Sequence, residues 1–290
     1  MVAQAAKSRQ VGRPVFPLAY LANVLLSIER VRIGAQGRRA HLKKQGRREI
    51  YTETILNDVV DLESRVTKLL REEMEQHPTW PWLEKVKGAG LENSAKVIGI
   101  IEGVTFKSTG RSSIAAFDTM SKLRRFAGLA PIDGKAERKV KGQKLHYSPE
   151  LRAMLWRLGE ILIQARGKFY DYYIERKDEY ADRFTRDGYR ILPTPKTGWQ
   201  CANCGTEFEQ KRDVAGCCGS PLPERLLRKE PSGVIWLGHL NNMAKRKMTI
   251  MFSDMLWRYW RRSLGLPCTS SYIVDKKPNE RQHEPEDFIG

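Results

Sequence analysis

Four of the five cysteines of this chain crowd into residues 201–218: Cys201, Cys204, Cys217 and Cys218. The first two form a Cys-x-x-Cys pair. Thiolates at this spacing can converge on one tetrahedral zinc ion, and four protein ligands leave no coordination position open for a reactive water. The sequence therefore predicts a structural zinc site in a small inserted zinc ribbon.

The second cysteine pair departs from the usual knuckle, because Cys217 and Cys218 are adjacent. His239 or Cys268 is therefore an alternative for one ligand. Cysteines clustered in this way indicate a metal site in a reducing compartment rather than a disulfide framework. The sequence has no apolar run of about 18 residues and no convincing signal peptide. We expect a cytoplasmic, nucleoid-associated protein with no membrane partner.

The chain carries a large excess of positive charge. It has 51 Lys and Arg against 34 Asp and Glu, which gives a net charge of +17. Such an excess, concentrated in parts of the chain, is typical of proteins that bind the phosphates of a nucleic acid. One basic cluster lies in the stretch from Arg38 to Arg48, with candidate contacts at Arg38, Arg39, Lys43 and Lys44. A second cluster supplies Arg124, Arg125, Lys135, Arg138, Lys139, Lys141 and Lys144.

The first third of the sequence indicates a basic arm followed by two long helices. Residues 1–16 form the arm. Apolar residues then recur at helical spacing in two stripes, which predict a helical hairpin or coiled coil over residues 17–77. The stripes are Leu18, Leu21, Leu25 and Ile28, then Ile55, Val59, Leu62, Val66 and Leu69. The two stripes could pair within one chain, or residues 18–70 could form a homodimer.

The central part, residues 78–187, predicts a compact core that contains a helix-hairpin-helix. Its turn is Lys87-Gly88-Ala89-Gly90, followed by Lys96. Glycines permit a tight turn and leave N–H groups free at a helix start, where a phosphate can bind. Lys87, Gly88, Gly90 and Lys96 are therefore candidate phosphate contacts. A plain structural loop is the alternative.

The remaining sequence predicts smaller elements around one more helix. We expect a linker and zinc ribbon over residues 188–230, a closing helix over 231–266 and a polar, disordered tail over 267–290. Together these elements predict a mainly α protein with a small inserted zinc ribbon.

The order of these parts resembles the C-terminal half of insertion-sequence transposases of the IS-one-ten and IS-one-sixteen family. The motifs that carry the resemblance are Lys87-Gly88-Ala89-Gly90 and Leu123-Arg124-Arg125-Phe126-Ala127-Gly128-Leu129-Ala130-Pro131, followed by a Gly/Lys-rich loop and a helix near Leu151-Arg152. The resemblance covers about residues 20–175. It implies a domain that grips DNA and a structured guide RNA.

The resemblance also implies chemistry that this sequence departs from. In the family, a RuvC-like domain with four carboxylates precedes this half, and a serine nucleophile follows the Gly-Leu-x-Pro block. Here about 20 residues precede the hairpin, and Asp133 occupies the serine position. Ser148, directly before Pro149, is expected to be a helix N-cap, and a nucleophile is its alternative role, which makes it the one catalytic candidate.

We therefore expect a transposase-like protein that binds DNA or structured RNA without autonomous cleavage. The alternative is an active transposase or recombinase that works with a separate RuvC-like subunit or a non-standard serine.

Overall fold

A computed structural model gives the fold of the chain. The structure describes residues 16–106, 110–132, 135–137, 140–196, 198–218, 223–226, 229–269 and 282–290. The described residues are mainly helical, as the sequence predicted. None of their helices is long and apolar enough to cross a lipid bilayer.

The described residues form eight α-helices: α1 (Pro17–Lys44), α2 (Ile50–Glu75), α3 (Trp80–Leu83), α4 (Leu91–Glu102), α5 (Met120–Phe126), α6 (Pro149–Ala165), α7 (Lys168–Arg186) and α8 (Leu237–Ser263). Short strands lie between them: β1 (Thr105–Phe106), β2 (Arg111–Ser112), β3 (Pro131–Ile132), β4 (Lys135–Ala136), β5 (Arg190–Leu192), β6 (Gly198–Cys201), β7 (Glu207–Phe208), β8 (Pro223–Leu226) and β9 (Val234–Trp236). Strands β1 and β2 pair antiparallel, as do β3 and β4, whereas β5 and β9 pair parallel. The largest sheet has the order β7-β6-β8 and is antiparallel throughout.

The chain divides into two compact units. Unit 1 combines Met1–Lys168 with Ile250–Gly290, and unit 2 is Phe169–Thr249. Helix α8 therefore starts in unit 2 and ends in unit 1. Unit 1 is built from two segments that are distant in sequence.

Helices α1 and α2 of unit 1 run antiparallel against each other. Arg32 Nε lies 2.5 Å from Glu63 Oε2, and Arg39 Nη1 lies 3.7 Å from Glu53 Oε2. The residue that comes later in α1 therefore pairs with the residue that comes earlier in α2, as antiparallel helices require. The connection between them is short, which keeps their axes close. An ion pair at each level adds little energy but fixes the register.

The buried face of α2 differs from the predicted stripe. Leu56, Val66, Leu70 and Met74 are buried, whereas Ile55, Leu62 and Leu69 are 50%, 41% and 49% exposed. Apolar residues occupy both 55 and 56, and both 69 and 70, so the sequence offers two overlapping faces. Packing against α1 selects one of them, and the other stays on the surface.

Helix α4 packs closely on α1 through small residues. A Cβ at Gly99 would lie 2.5 Å from Ala22 Cβ and 2.8 Å from Leu18 O. Around this contact Ala95, Val97, Ile98 and Ile101 of α4 are buried. Full burial of each larger side chain contributes about 1.5–3 kcal/mol, so this crossing is a main part of the core of unit 1.

The second half of α8 completes the core of unit 1. Trp257 is fully buried, and its Nε1–H donates a hydrogen bond to Phe117 O at 2.7 Å. Arg261 donates to the same carbonyl and to Ile114 O. The bonds to Phe117 O pair a buried carbonyl group with side-chain donors from α8, and the bond to Ile114 O adds to the one that this carbonyl accepts from Phe117 N–H.

Residues 282–290 pack against the rest of unit 1, although the sequence predicted a disordered polar tail over 267–290. Trp82 Nε1–H donates to Pro285 O at 2.8 Å, and Phe288 is 4% exposed. Arg258 Nη1 lies 2.8 Å from Glu284 Oε1. For residues 282–290 the prediction was wrong, because one buried phenylalanine and one buried proline are a weak signal within a charged stretch. Residues 270–281 of the predicted tail and residues 1–15 of the predicted arm lie outside the described residues.

Candidate metal centre and basic surfaces

The first cysteine pair sits on a tight turn at the end of β6. Cys201 is the last residue of β6 and is buried, and its N–H donates to Thr206 O at 3.0 Å. The Gly205 N–H donates back to Cys201 O at 2.8 Å. Gly205 has a φ of +72°, which a glycine adopts without strain. The turn thus points Cys201 and Cys204 towards the same space.

The four thiols converge closely enough to share one metal ion. The Sγ atoms of Cys201, Cys204, Cys217 and Cys218 all lie within 4.8 Å of one another. Cys204 Sγ is 3.3 Å from Cys217 Sγ, which is 3.5 Å from Cys218 Sγ. A tetrahedral ion with bonds of about 2.3 Å to sulfur requires sulfur–sulfur distances of about 3.8 Å. The donor set therefore fits a tetrahedral thiolate site after shifts of up to about 1 Å in the sulfur–sulfur distances.

Protonation in the cluster is uneven. A hydrogen bond with the Thr206 hydroxyl, helped by the neighbouring thiols, lowers the pKa of Cys204 to about 6. Hydrogen bonding to Cys204 raises the pKa of Cys217 and of Cys218. One thiolate therefore forms readily, and further negative charge beside it is unfavourable. A divalent cation removes that penalty, because a coordinated thiol is deprotonated outright.

The adjacent pair is accommodated by backbone conformation. Cys218 has a φ of +44°, in the left-handed region that residues other than glycine seldom adopt. The alternative ligands proposed from the sequence lie elsewhere: His239 Nδ1 is 2.8 Å from Glu230 Oε2, and Cys268 Sγ is 3.7 Å from Arg258 O. Cys217 and Cys218 are therefore the third and fourth ligands of the candidate centre.

The helix-hairpin turn is closely packed at its first glycine and open at its second. Gly88 has a φ of +94°, and a Cβ there would lie 2.7 Å from Ala165 Cβ and 3.2 Å from Ile161 O. Gly90 precedes α4 as its N-cap, and a Cβ there would meet nothing within 4 Å. Gly88 therefore holds the turn against α6, while Lys87 and Gly90 are exposed.

The structure corrects the expectation for Lys96. This lysine is 1% exposed, and its Nζ lies 2.5 Å from Glu29 Oε1 and 2.7 Å from Glu92 Oε1. A buried ammonium held by two carboxylates cannot reach a phosphate in solution. Lys96 is a structural ion pair between α1 and α4, and it leaves the set of candidate phosphate contacts.

Arg124 of the second basic cluster is also engaged inside unit 1. Its guanidinium makes a two-pronged contact with Asp254, which is 5% exposed. Arg125, Lys141 and Lys144 are exposed. Arg138 and Lys139, and the side chain of Lys135, lie outside the described residues, as does Asp133.

The first basic cluster lies where α1 ends and α2 begins. Arg38 contacts Glu49 at 2.7 Å, and Arg39 is the cation near Glu53. Lys43 and Lys44 are exposed and form no ion pair with any described residue. Arg47 and Arg48 extend the same cluster. They were not selected from the sequence, although they belong to the same basic run.

Ser148 has a structural role as the N-cap of α6. Its Oγ accepts a hydrogen bond from Leu151 N–H at 3.2 Å, and its own N–H donates to Phe126 O at 2.8 Å. The nearby His146 imidazole faces Glu137 Oε1 at 3.2 Å. The Ser148 hydroxyl therefore caps the N-terminus of α6, as its position before Pro149 indicated.

The exposed basic residues that the sequence analysis selected in unit 1 lie in at least three separate places. Gly88 packs against the C-terminal end of α6, so its neighbour Lys87 lies near that end of the helix. Ser148 and its bond to Phe126 place Arg125 near the N-terminal end. Helix α6 has 17 residues and is about 25 Å long, so the two ends are well separated. The Arg38–Arg48 cluster forms the third group.

No family model, no curated protein and no solved structure matches this chain.

Proposed function

We propose that this protein binds nucleic acid through separate groups of exposed cations on a helical frame. The observation that carries the proposal is that six of the basic residues selected from the sequence are exposed and form no ion pair with a described residue: Lys43, Lys44, Lys87, Arg125, Lys141 and Lys144. Lys96 and Arg124, in contrast, form ion pairs inside the fold. With a net charge of +17, the chain should attract phosphates strongly at low salt.

The separation of the groups supports recognition of shape rather than of base sequence. Contacts that lie about 25 Å apart follow a phosphate backbone over several nucleotides instead of reading one base edge. This is how a transposase-like domain would hold a duplex or a structured RNA. A transposase-like role, of the kind implied by the resemblance to the IS-one-ten and IS-one-sixteen transposases, is part of this proposal.

We propose binding without autonomous cleavage. The support is that Ser148 Oγ acts as a helix cap and that Asp133 stands at the family's serine position. A nucleophile requires a base within hydrogen-bond reach, and the described partner of Ser148 Oγ is a backbone N–H.

The metal in the cysteine centre is proposed to be zinc with a structural role. Four thiolates complete its coordination, so Cys201, Cys204, Cys217 and Cys218 would hold the ion and close the turns that carry them. Zinc would supply no reactive water here. Its contribution is to fix a ribbon whose own hydrophobic contacts are few.

Association of two copies through residues 18–70 stays a prediction. The exposed apolar side chains Ile33, Ile55, Leu62 and Leu69 on α1 and α2 are the surface that such a dimer would cover. Analytical ultracentrifugation of the wild-type protein and of an Ile55→Ser/Leu62→Ser variant tests it, and equal monomer fractions would contradict it.

Binding itself is tested by titrating the zinc-loaded protein into labelled DNA duplex and RNA stem-loop at several salt concentrations. The proposal expects the logarithm of the binding constant to fall linearly with the logarithm of salt, because bound phosphates release counterions. Substitution of Lys87, Arg125, Lys141 and Lys144 together by alanine should make this salt dependence shallower, because fewer phosphates are contacted. Absence of salt-sensitive binding to either ligand would refute the proposal, and strand cleavage by the wild-type chain that Ser148→Ala abolishes would refute its non-catalytic part.

A further inference from the structure

A cleft opens where α1 ends and α2 begins, at one end of the helix pair. Its volume is about 770 Å³, and both helices and their connection line it. The charged residues of the lining are four cations and two carboxylates: Arg39, Lys43, Arg47 and Arg48, with Glu49 and Glu53. We call this feature the tip cleft.

The two carboxylates of the tip cleft already have partners. Glu49 Oε2 accepts from Arg38, which stands outside the lining, at 2.7 and 2.8 Å, and from Thr52 Oγ1 at 2.8 Å. The Thr52 hydroxyl and Arg38 hold the pKa of Glu49 below its usual range. Glu53 faces Arg39 at 3.7 Å.

Three cations of the tip cleft therefore lack a counter-charge. Lys43, Arg47 and Arg48 form no ion pair with any residue in the described part of the chain. Lys43 lies in the last turn of α1, where the helix dipole favours a positive charge. Arg47 and Arg48 instead stand just before the N-terminus of the 26-residue α2, where the dipole disfavours positive charge. The positive charges of Arg47 and Arg48 are therefore unfavourable beside the positive end of the α2 dipole. An anion bound in the cleft would offset this repulsion.

We propose that the tip cleft is a phosphate-binding site that takes backbone phosphates of a nucleic acid, with Lys43, Arg47 and Arg48 as its contacts. This inference rests on the proposed nucleic-acid function and deepens it by assigning one site. The planar guanidinium groups of Arg47 and Arg48 suit bidentate contacts with phosphate oxygens. A concave site of this volume admits a phosphodiester segment between the two helices.

The site lies at a distance from the other basic groups. Arg30 of α1 pairs with Glu150 at the start of α6, and Lys43 follows Arg30 by 13 helical residues, or about 20 Å. A nucleic acid held at both places would run along the helix pair. The helix pair would then act as an arm that extends the binding surface beyond the core of unit 1.

The test compares two triple variants with the same net charge. Lys43→Ala/Arg47→Ala/Arg48→Ala removes the tip contacts. Arg65→Ala/Lys68→Ala/Arg71→Ala removes three exposed cations from α2 at a distance from the tip and is the matched control. Both act on exposed side chains, and thermal unfolding of each full-length, zinc-loaded variant checks that the fold persists. The ligand is whichever binds the wild type more tightly: a DNA duplex of about 30 base pairs, or three helical turns, or an RNA stem-loop with as many phosphates.

If the tip variant loses three phosphate contacts to a duplex, the slope of the logarithm of its binding constant against the logarithm of salt should be smaller in magnitude by about 2.7. On single strands the change should be proportionally smaller. At about 0.15 M salt the change on a duplex corresponds to an affinity loss of about 100-fold, which vanishes as salt approaches about 1 M. The control variant should lose less than a tenth of that in fold-change.

Equal losses in the two variants would overturn the inference, because net charge would then explain both. Unchanged binding by the tip variant would overturn it and leave the proposed function intact. No binding by the wild type would instead refute the proposed function. A parallel sedimentation assay with phosphatidylglycerol vesicles covers a membrane headgroup as the source of phosphate, and tip-dependent vesicle binding with unchanged nucleic-acid binding would also overturn the inference.

Discussion

The Gly88→Ala substitution separates a packing role for the helix-hairpin turn from a phosphate-binding role. Two penalties add at this position. The φ of +94° is strained for alanine, which costs about 1–3 kcal/mol. The new Cβ would also lie 2.7 Å from Ala165 Cβ and 3.2 Å from Ile161 O, and overpacking of this kind costs about 1–3 kcal/mol. We expect a loss of about 3 kcal/mol in the free energy of unfolding.

Thermal unfolding followed by far-UV circular dichroism measures this loss. In a unit of about 200 residues, each kcal/mol shifts Tm by about 2–4 °C, so Gly88→Ala should lower the Tm of unit 1 by about 6–12 °C. Gly90→Ser is the matched control, because a side chain at residue 90 meets open space and serine is a good N-cap. Its stability should stay within about 0.5 kcal/mol of the wild type or rise.

A second-site change tests the contact itself. Glycine at residue 165 itself costs up to about 1 kcal/mol in helix α6, so the comparison uses Ala165→Gly as the reference. In the Ala165→Gly background Gly88→Ala should cost about 1 kcal/mol less than in the wild type, because the methyl group opposite residue 88 is gone while the backbone strain remains. If Gly88→Ala keeps wild-type stability and weakens nucleic-acid binding instead, the packing argument is wrong and the turn is a phosphate site.

Three further outcomes follow from other contacts. The purified protein should hold one zinc per chain by elemental analysis, and Cys204→Ser should lose it while the helical circular dichroism signal remains; retention of a full equivalent by Cys204→Ser would contradict the four-thiolate centre. Arg124→Met should cost about 3–5 kcal/mol in urea unfolding, because the buried Asp254 carboxylate loses its main cation, and Arg124→Met/Asp254→Leu should recover part of this; equal stability of the single variant and the wild type would refute a structural role. Phe288→Ala should cost about 3–5 kcal/mol if residues 282–290 dock as described, whereas no change in stability would show that the docking contributes nothing.

The helical class and the cysteine cluster were predictable because both depend on short-range patterns. Apolar residues three and four apart define a helix face without knowledge of its partner. The Cys-x-x-Cys spacing fixes two ligands on one turn in the same way, and a glycine after it indicates the positive φ found at Gly205. The exact face of α2 was beyond such reasoning, because adjacent apolar residues make two faces equally apolar.

The roles of individual basic residues depend on long-range partners that a single sequence does not reveal. Lys96 meets Glu29 across 67 positions, and Arg124 meets Asp254 across 130. In the sequence both cations resemble their exposed neighbours, such as Arg125. Only the fold shows which positively charged side chains form ion pairs inside the protein and which stay exposed to a ligand.

The division of unit 1 between two stretches of sequence has a consequence during synthesis on the ribosome. Trp257 and Trp260 complete the interior that Phe117 and Trp82 begin, yet the whole of unit 2 is translated between them. At about 5–20 residues per second, the nascent chain waits between about 4 and 16 s for its missing helix. During this delay the half-built apolar interior is exposed to other nascent chains, so yield of native protein should depend on chaperones and on slow expression at low temperature.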